Sequence, residues 1–265
     1  MACRKCGLVF LDPMPSLEHS QRFYAEKASS DPEVEGHRAG MYENFLEKIE
    51  KLKPKRGRLL DVGCGYGEFM KMARGHGWEV FGIELSYEAC EYIRRRYGLP
   101  VYSRSLPEVG FPSEYFDVVT MWNVLDHIPD PLGHLREARR VIKADGVLFV
   151  RVPNFPFQRV SYHIGRLIGK LTGYDLAHKV SVFHLYCFTH DSLRRILKEA
   201  GFGVVRILNS RPSRGDPYAA FPPGLDGVVR FGKHLIYLAT QVLFFATGGE
   251  KALGPSLEAY ATMGA

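Results

Sequence analysis

The order of strand-like and helix-like segments constrains the fold of this chain more than any other feature. From Arg58 onward, short apolar runs alternate with stretches whose apolar residues recur every three or four positions. The predicted strands cover 58–63, 79–84, 100–102, 116–121, 146–152 and 203–209, and the predicted helices between them cover 66–76, 86–97, 132–143 and 189–200. This alternation implies right-handed crossovers and a mostly parallel sheet covered on both faces, so we predict an α/β fold.

Other parts of the chain depart from this alternation. Residues 1–37 mix a CxxC pair, prolines and polar residues, and we interpret them as an N-terminal extension to a domain of residues 38–265, which opens with a helix over 38–52. Amphipathic segments at about 157–171 and 226–247 are predicted to be helical insertions, and "SLEAYATM" at 256–263 is predicted to be a final edge strand. A length of 265 residues suits one large domain with such additions.

Charge and cysteine usage favour a cytoplasmic protein. The net charge of +6 is mild and scattered, so it supports a nucleic-acid partner only weakly. Five cysteines without a disulfide-like spacing suit a reducing compartment, and the N-terminus has no signal-peptide pattern. The apolar run at 235–247 contains Gln241 and is too short to span a bilayer, which leaves a peripheral membrane contact as the alternative.

A glycine-rich turn lies between the first strand and helix of the alternation, in "LLDVGCGYGEFM". Such a turn brings backbone N–H groups and a helix N-terminus close to a ligand. The spacing of Gly63, Gly65 and Gly67 is G-x-G-x-G, whereas the dinucleotide pattern is G-x-G-x-x-G and a Walker loop requires Gly-Lys-Ser/Thr. The turn therefore predicts a ligand site, with a dinucleotide as the weaker choice.

Two carboxylates narrow the ligand class. Glu84 ends the next strand, where a carboxylate accepts hydrogen bonds from the two hydroxyls of a ribose. Asp61 lies just before the glycine turn, where its negative charge would repel a pyrophosphate and favour a ligand that carries positive charge. S-adenosylmethionine, with its sulfonium and ammonium groups, meets both requirements.

Five stretches in this order resemble the class I S-adenosylmethionine-dependent methyltransferases, in the branch that includes ubiquinone- and menaquinone-pathway enzymes. They are "LLDVGCGYGEFM", "VFGIELS", "FPSEYFDVVTMWNVLDHIPDP", "LREARRVIKADGVLFVRVPN" and "FTHDSLRRILKEAGF". The resemblance covers about residues 38–210, and more weakly 1–37 and 250–265. It implies a Rossmann-like sheet of seven strands, of which the last is antiparallel, with S-adenosyl-L-methionine as cofactor and S-adenosyl-L-homocysteine as product.

The resemblance also implies a role for each matching position. The methionine end of the cofactor would be lined by residues of the glycine turn and its approach: Asp61, Gly63, Cys64, Gly65 and Gly67. Glu84 would hold the ribose, with Leu85 beside it. The adenine would lie near Ser105 and Leu106, and the sulfonium near Asn123. Many relatives carry an acidic residue near the adenine, where this chain has Arg104 before Ser105. Backbone groups are therefore expected to supply part of the adenine contact.

Two histidines are candidates for a catalytic base. Methyl transfer is an in-line displacement in which alignment supplies about 7–11 kcal/mol, and an oxygen or nitrogen nucleophile can also require a base. His127, in "NVLDHIPDP", is the leading candidate, and its alternative role is to hold a proline-rich loop. His184, in "SVFHLYCFT", is the second, and its alternative is a packed or surface histidine. Asp126 would orient a histidine or accept backbone hydrogen bonds.

The favoured reaction is O-methylation of a small, lipid-like, quinone-like or saccharide-like acceptor. A nucleic-acid methyltransferase is one alternative. However, enzymes that methylate amines of bases carry an Asn/Asp-Pro-Pro-aromatic loop after the fourth strand, and cytosine C5 enzymes carry Pro-Cys there, whereas this chain has "MWNVLDH". The similar stretch "PNFPF" follows the fifth strand instead. A non-catalytic cofactor-binding module and a dinucleotide oxidoreductase are further alternatives. The acidic magnesium site of catechol-type enzymes is not evident.

The cysteine pair and the amphipathic segments leave alternatives open. Cys3 and Cys6 supply two of the four ligands of a structural zinc site, so we predict no bound metal. We interpret the pair as a relic knuckle or as the end of a truncated site. A complete zinc site would need further ligands, for which His19 and His37 are the candidates. The amphipathic segments form either a lid packed on the sheet or an apolar channel or membrane contact. Basic residues flank their apolar stripes: Arg159, Arg166, Lys170, Arg230 and Lys233.

Overall fold

The computed structural model describes residues 1–4, 7–16, 38–172, 184–210, 226–249 and 252–263. The strands are β1 Val9–Phe10, β2 Arg58–Val62, β3 Glu79–Ile83, β4 Val101–Tyr102, β5 Phe116–Trp122, β6 Ile142–Pro153, β7 Tyr186–Cys187, β8 Val204–Asn209 and β9 Ser256–Thr262. The helices are α1 Ala39–Leu52, α2 Glu68–Gly75, α3 Tyr87–Tyr97, α4 Leu106–Val109, α5 Pro131–Val141, α6 Phe155–Thr172, α7 His190–Glu199 and α8 Asp226–Ala246, with a 3₁₀ turn at Leu125–His127.

Seven of the strands form one sheet in the order β4-β3-β2-β5-β6-β9-β8. The strand pairs from β4 to β6 are parallel, and β9 is antiparallel to both of its neighbours. The predicted α/β fold, with a seven-stranded Rossmann-like sheet whose last strand is antiparallel, is therefore confirmed.

The prediction of an edge strand at 256–263 is wrong, because β9 lies between β6 and β8. Leu257, Ala259 and Ala261 are fully buried on one face of β9. Both sides of the strand are hydrogen-bonded, to β6 from Ser256 to Ala261 and to β8 from Leu257 to Thr262. The alternating pattern identifies a strand, but it carries no information about how many neighbours that strand has.

Helices pack on both faces of the sheet over two apolar cores. One core joins the sheet to α1, α2 and α3 through side chains such as Phe45, Met70 and Ile93. The other joins it to α5 and α7, through side chains such as Leu135 and Leu193. This double packing fixes the strand ends, where the candidate site lies.

The N-terminal extension reaches the domain through a second, two-stranded sheet that the sequence did not indicate. β1 pairs with β7 in antiparallel register, Val9 opposite Cys187 and Phe10 opposite Tyr186. The Leu11 amide also donates to the Leu185 carbonyl over 2.9 Å. The extension therefore supports the segment that directly follows His184. Among the described residues, no helix is long and apolar enough to cross a membrane.

Candidate functional site

The candidate site lies at the edge of the sheet where parallel strands reach their carboxyl ends. β2, β3 and β5 are in parallel register, so Val62, Ile83 and Trp122 end at the same edge. In open α/β sheets, ligands bind outside this edge. The glycine turn after β2, Glu84 after β3 and Asn123 after β5 are therefore neighbours in space as the sequence predicted.

The glycine turn has a backbone that other residues would strain. Gly63, Gly65 and Gly67 all have positive φ angles, of 70°, 53° and 79°. A Cβ atom on Gly63 would lie 2.4 Å from the Val124 side chain, so this position has no space for one. The Gly63 and Cys64 amides both donate to the Ile83 carbonyl, over 2.7 and 3.0 Å. These bonds hold the turn against the end of β3.

Glu84 is fixed by backbone amides from two directions. One carboxylate oxygen accepts from the Gly65 amide over 3.0 Å, and the other accepts from the Ser86 amide over 2.9 Å. Ser86 in turn caps α3, where its hydroxyl accepts from the Ala89 amide. A carboxylate has about four acceptor positions, so each oxygen of the half-buried Glu84 keeps one for a further donor such as a ribose hydroxyl.

Asp61 is a buried carboxyl group whose charge depends on what lies beside it. One oxygen accepts from the Thr120 hydroxyl over 2.7 Å, since the two residues are partners across β2 and β5. Burial raises the pKa of Asp61 to about 8, the Glu84 charge adds to the increase, and the Thr120 hydrogen bond opposes it. The sequence predicted a fixed negative charge, whereas the carboxyl is mostly protonated at pH 7 in the protein alone. A cationic group placed against it would favour the ionised form.

Tyr42 and Thr120 belong to the surroundings of Asp61 and were not predicted. Tyr42, on α1, is buried and packs against Trp122 with ring centroids 4.9 Å apart. Burial raises the pKa of Tyr42 to about 12; the nearby Arg38 opposes the increase and the Asp61 charge adds to it. The pattern of α1 identifies its apolar face only, so the sequence carries no signal that Tyr42 lies near Asp61.

The side chains predicted to lie beside the adenine make structural contacts within the protein. Ser105 caps α4 in a reciprocal arrangement with Glu108, whose carboxylate accepts from the Ser105 amide and hydroxyl. Leu106 is fully buried in an apolar core. Leu85 is exposed, and its carbonyl accepts from the Ser103 hydroxyl over 3.4 Å. Any contact between Leu106 and the adenine is therefore made by the Leu106 backbone. This agrees with the expectation drawn from Arg104, which stands where many relatives have an acidic residue. The Cys64 thiol is also buried, which raises its pKa, so it is a packing group rather than a nucleophile.

Asn123 is held in an unusual conformation by Arg151. Its φ angle is +54°, in the left-handed region that asparagine tolerates better than most residues. The Asn123 amide donates to the Arg151 carbonyl over 2.8 Å, and the Arg151 guanidinium donates to the Asn123 side-chain oxygen over 2.7 Å. Arg151 is itself buried and donates to Ser210, whose hydroxyl donates to Glu258. A charged residue inside the apolar run "VLFVRVP" was the signal that could have identified it.

The two candidate histidines meet on one buried carboxylate. His184 Nδ1 lies 2.5 Å from Asp126 Oδ2, and His127 Nε2 lies 3.3 Å from the same oxygen. The two rings stack with centroids 5.0 Å apart. Among the described residues, neither the Asp126 oxygens nor His184 Nδ1 makes a hydrogen bond of good geometry, so these are close polar contacts whose charge depends on histidine protonation. Burial acts to raise the pKa of Asp126, but the neighbouring imidazoles of His127 and His184, when protonated, outweigh it and lower that pKa.

The two histidines differ in access. Gln158 Nε2 lies 3.2 Å from His184 Nε2, Asp126 lies against the other ring nitrogen, and the side chain of His184 is 7% exposed. The side chain of His127 is 20% exposed, which makes it the imidazole that a substrate can reach. The Leu185 amide donates to the Asp126 carbonyl over 3.0 Å and keeps the two segments together. The geometry therefore suits a base, His127, beside an oriented histidine–carboxylate pair.

Among the described residues, ligand-type side chains cluster around Asp126. One ligand atom from each of Asp126, His127 and His184 lies within 4.8 Å of the others. His184 Nδ1 and Asp126 Oδ2 are closer together than two ligands about 2.0–2.1 Å from one ion would be. At the N-terminus, Cys3 is half-buried, and its carbonyl accepts from the Gly7 amide. The other groups named there lie outside the described residues: Cys6, His19 and His37.

Comparison with known families agrees with this geometry. Residues 34–207 match the model of a methyltransferase domain family. The chain belongs to this family. The resemblance to class I S-adenosylmethionine-dependent methyltransferases is thereby confirmed, and with it S-adenosylmethionine as the cofactor.

Named relatives in this family are similar over part of their length. The ubiquinone biosynthesis O-methyltransferase of Actinobacillus pleuropneumoniae is 34% identical over 37% of this chain and 46% of its own length. A probable S-adenosylmethionine-dependent methyltransferase of Mycobacterium tuberculosis is 28% identical over 54% of this chain and 48% of its own. The chain thus spans less than half of either relative.

Solved structures show the same fold over nearly the whole chain. A possible histamine N-methyltransferase from Thermotoga maritima covers 92% of this chain and 99% of its own, with a TM-score of 0.55 and 22% identity. A phosphoethanolamine N-methyltransferase from Haemonchus contortus, bound to S-adenosyl-L-methionine, covers 97% of this chain and 62% of its own, with a TM-score of 0.59 and 16% identity.

The residues of this chain fit the cofactor. The glycine turn brings backbone close to a ligand where a Cβ would not fit, Glu84 keeps acceptor positions for a diol, and the buried carboxyl of Asp61 suits a cationic group. When bound, S-adenosylmethionine supplies a methyl group on a positively charged sulfur.

Proposed function

We propose that this methyltransferase methylates an oxygen of a small acceptor of lipid-like, quinone-like or saccharide-like chemistry, with His127 as general base. The observation that carries the proposal is the buried Asp126 carboxylate in contact with both His127 and His184. It lies three residues after Asn123, at the sheet edge where the predicted cofactor residues lie. The O-methyltransferases of ubiquinone biosynthesis among the relatives support the same reaction class.

The proposed roles follow from the contacts. An acceptor hydroxyl becomes a better nucleophile when its proton leaves for a base within hydrogen-bonding reach. The proposed base is the imidazole of His127, whose Nε2 lies 3.3 Å from Asp126 Oδ2. Asp126 stabilises the imidazolium that forms, because a carboxylate in contact with the ring favours its protonated form. His184, held between Asp126 and Gln158, fixes the position of the carboxylate.

Replacement of the base tests this proposal. We expect His127→Asn to lower kcat by about 100- to 10,000-fold, the usual contribution of general base catalysis, while the Kd for S-adenosylmethionine stays within about twofold. The assay measures S-adenosylhomocysteine formed with phenolic, quinol and polyprenyl-linked acceptors. His134→Asn, at a histidine of α5 whose Nδ1 contacts the Asp130 carbonyl, is the matched control.

Two outcomes would reject the proposal. Wild-type turnover in His127→Asn would remove the histidine as base. Tight cofactor binding without turnover on any acceptor would favour the alternative of a non-catalytic module that binds S-adenosylmethionine.

A further inference from the structure

The helix α8 presents most of its described apolar side chains to solvent, while Phe244 is buried in the core against the sheet. The side chains of Leu235, Leu238, Val242 and Phe245 form one stripe, and Val242 and Phe245 are 70% and 75% exposed. The positions that are shielded include the polar residues Thr240 and Gln241, and the Thr240 carbonyl accepts from Asn209 of β8. A helix packed as a lid would bury its apolar stripe, so this orientation indicates an external partner.

The helix α6 shows the same arrangement and adds positive charge. Val160, Ile164 and Leu167 recur on one face and are 57%, 53% and 60% exposed. The helix contains no acidic residue. It carries three exposed basic residues: Arg159, Arg166 and Lys170.

We propose that the outer faces of α6 and α8 bind the surface of an anionic membrane. An amphipathic helix with an exposed apolar stripe and basic flanks lies in the lipid headgroup region, where apolar burial and attraction to anionic lipids act together. The basic residues of α6 favour anionic lipids, since each adds about 1 kcal/mol near such a surface. Acidic residues are almost absent from the two helices, Asp226 at the start of α8 being the single one.

The position of α6 connects this surface to the candidate site. The helix starts two residues after β6 ends, and its first turn carries Gln158, which contacts His184. The Phe155 amide donates to the Phe188 carbonyl and fixes the start of the helix beside the same segment. A membrane-bound α6 would place the site next to the lipid surface, which suits the lipid-like or quinone-like acceptors of the proposed function. Membrane binding itself does not depend on that function.

Vesicle sedimentation tests the proposal without any activity assay. The full chain is mixed at low salt with vesicles of phosphatidylcholine alone or with added phosphatidylglycerol. We expect strong binding to the anionic vesicles only. The triple substitution Arg159→Gln, Arg166→Gln and Lys170→Gln should weaken binding about 100-fold, from about 1 kcal/mol per basic residue. Val242→Glu with Phe245→Glu should weaken it at least about tenfold, because two apolar side chains would become charged.

Matched controls separate this surface from general effects. Leu52→Glu, at an exposed leucine at the end of α1, should bind vesicles as the wild type does. His127→Asn should also bind normally, so failure of the proposed reaction remains distinct from failure of membrane binding. Because the substituted side chains are exposed, we expect unchanged cofactor affinity, which calorimetry checks.

Three results would overturn the proposal. The first is a failure of the wild-type protein to sediment with anionic vesicles. The second is vesicle binding by the substituted proteins that is as tight as that of the wild type. A dimer in sedimentation velocity that Val242→Glu with Phe245→Glu abolishes, without vesicle binding, would show instead that a second copy covers this surface.

Discussion

Asp61 links the charge of the cofactor to the acid–base behaviour of the site. Its pKa of about 8 lies above the ordinary value of 3.8 because the carboxyl is buried, with Glu84 adding to the effect. The folded protein therefore holds a proton between about pH 4 and pH 8 that the unfolded chain releases. Asp61 contributes stability below pH 4 that is lost as the pH rises toward 8.

Cofactor affinity should rise with pH, whereas the stability that Asp61 contributes falls. A cationic ligand favours ionised Asp61, so binding should release up to one proton below pH 8, and affinity should rise by up to about tenfold per pH unit between pH 6 and 8. Calorimetry in buffers of different ionisation enthalpy measures the released protons. Asp61→Asn, which cannot ionise, should bind more weakly and release fewer. Equal proton release by both proteins would contradict this account of Asp61.

The sequence predicted which residues lie together at this sheet edge, but it did not predict the protonation state of Asp61. The glycine turn and Glu84 follow from local spacing, and their contacts with each other follow from the parallel register of β2 and β3. The protonation of Asp61 could not be predicted, because it depends on burial under α1 and on Thr120, 59 positions away along the chain.

Among the secondary-structure elements, β6 connects the candidate site to the interior of the sheet through hydrogen bonds of one of its side chains. Arg151 connects Asn123 of the site to Ser210 and, through it, to Glu258 on β9. Asn123 is in a strained conformation, which the buried guanidinium stabilises from outside the site.

Removal of the Arg151 charge should therefore affect both stability and catalysis. We expect Arg151→Met to destabilise the fold by about 1–3 kcal/mol, since it leaves the Asn123 side-chain oxygen and the Ser210 hydroxyl without their buried donor. Denaturant unfolding measures this loss, and Arg151→Lys, which keeps a cationic donor, should recover part of it. Arg151→Met should also lower kcat, because Asn123 would lack its support. Full activity in Arg151→Met would assign Arg151 a purely structural role.

Local patterns also explain which elements were predicted correctly. The alternation of strands and helices gave the parallel part of the sheet, and the amphipathic segments appear as α6 and α8. The patterns could not place β9 inside the sheet, because neighbours along a sheet depend on contacts between distant segments. They likewise could not show that the apolar stripe of α8 faces outward, since a stripe has the same spacing on either side of a helix.

At the scale of the whole molecule, separate parts of the chain converge on one edge of the sheet. The turn after β2 and the end of β3 form the cofactor side, and the 3₁₀ turn after β5 brings His127. The N-terminal extension pairs with β7 and supports the segment that follows His184. The amphipathic α6 begins beside this edge, so cofactor, base and the proposed membrane surface meet in one region.

The most direct test of the account is a calorimetric titration with S-adenosylmethionine, S-adenosylhomocysteine and NAD in parallel, for wild type and Glu84→Ala. We predict that both adenosyl ligands bind and NAD does not, and that a ligand at 100 times its Kd stabilises the fold by about 2.7 kcal/mol. Glu84→Ala should weaken both adenosyl ligands by at least about tenfold, since it removes the ribose acceptor. Binding of NAD, or equal affinity in Glu84→Ala, would contradict the assignment of this edge as an S-adenosylmethionine site.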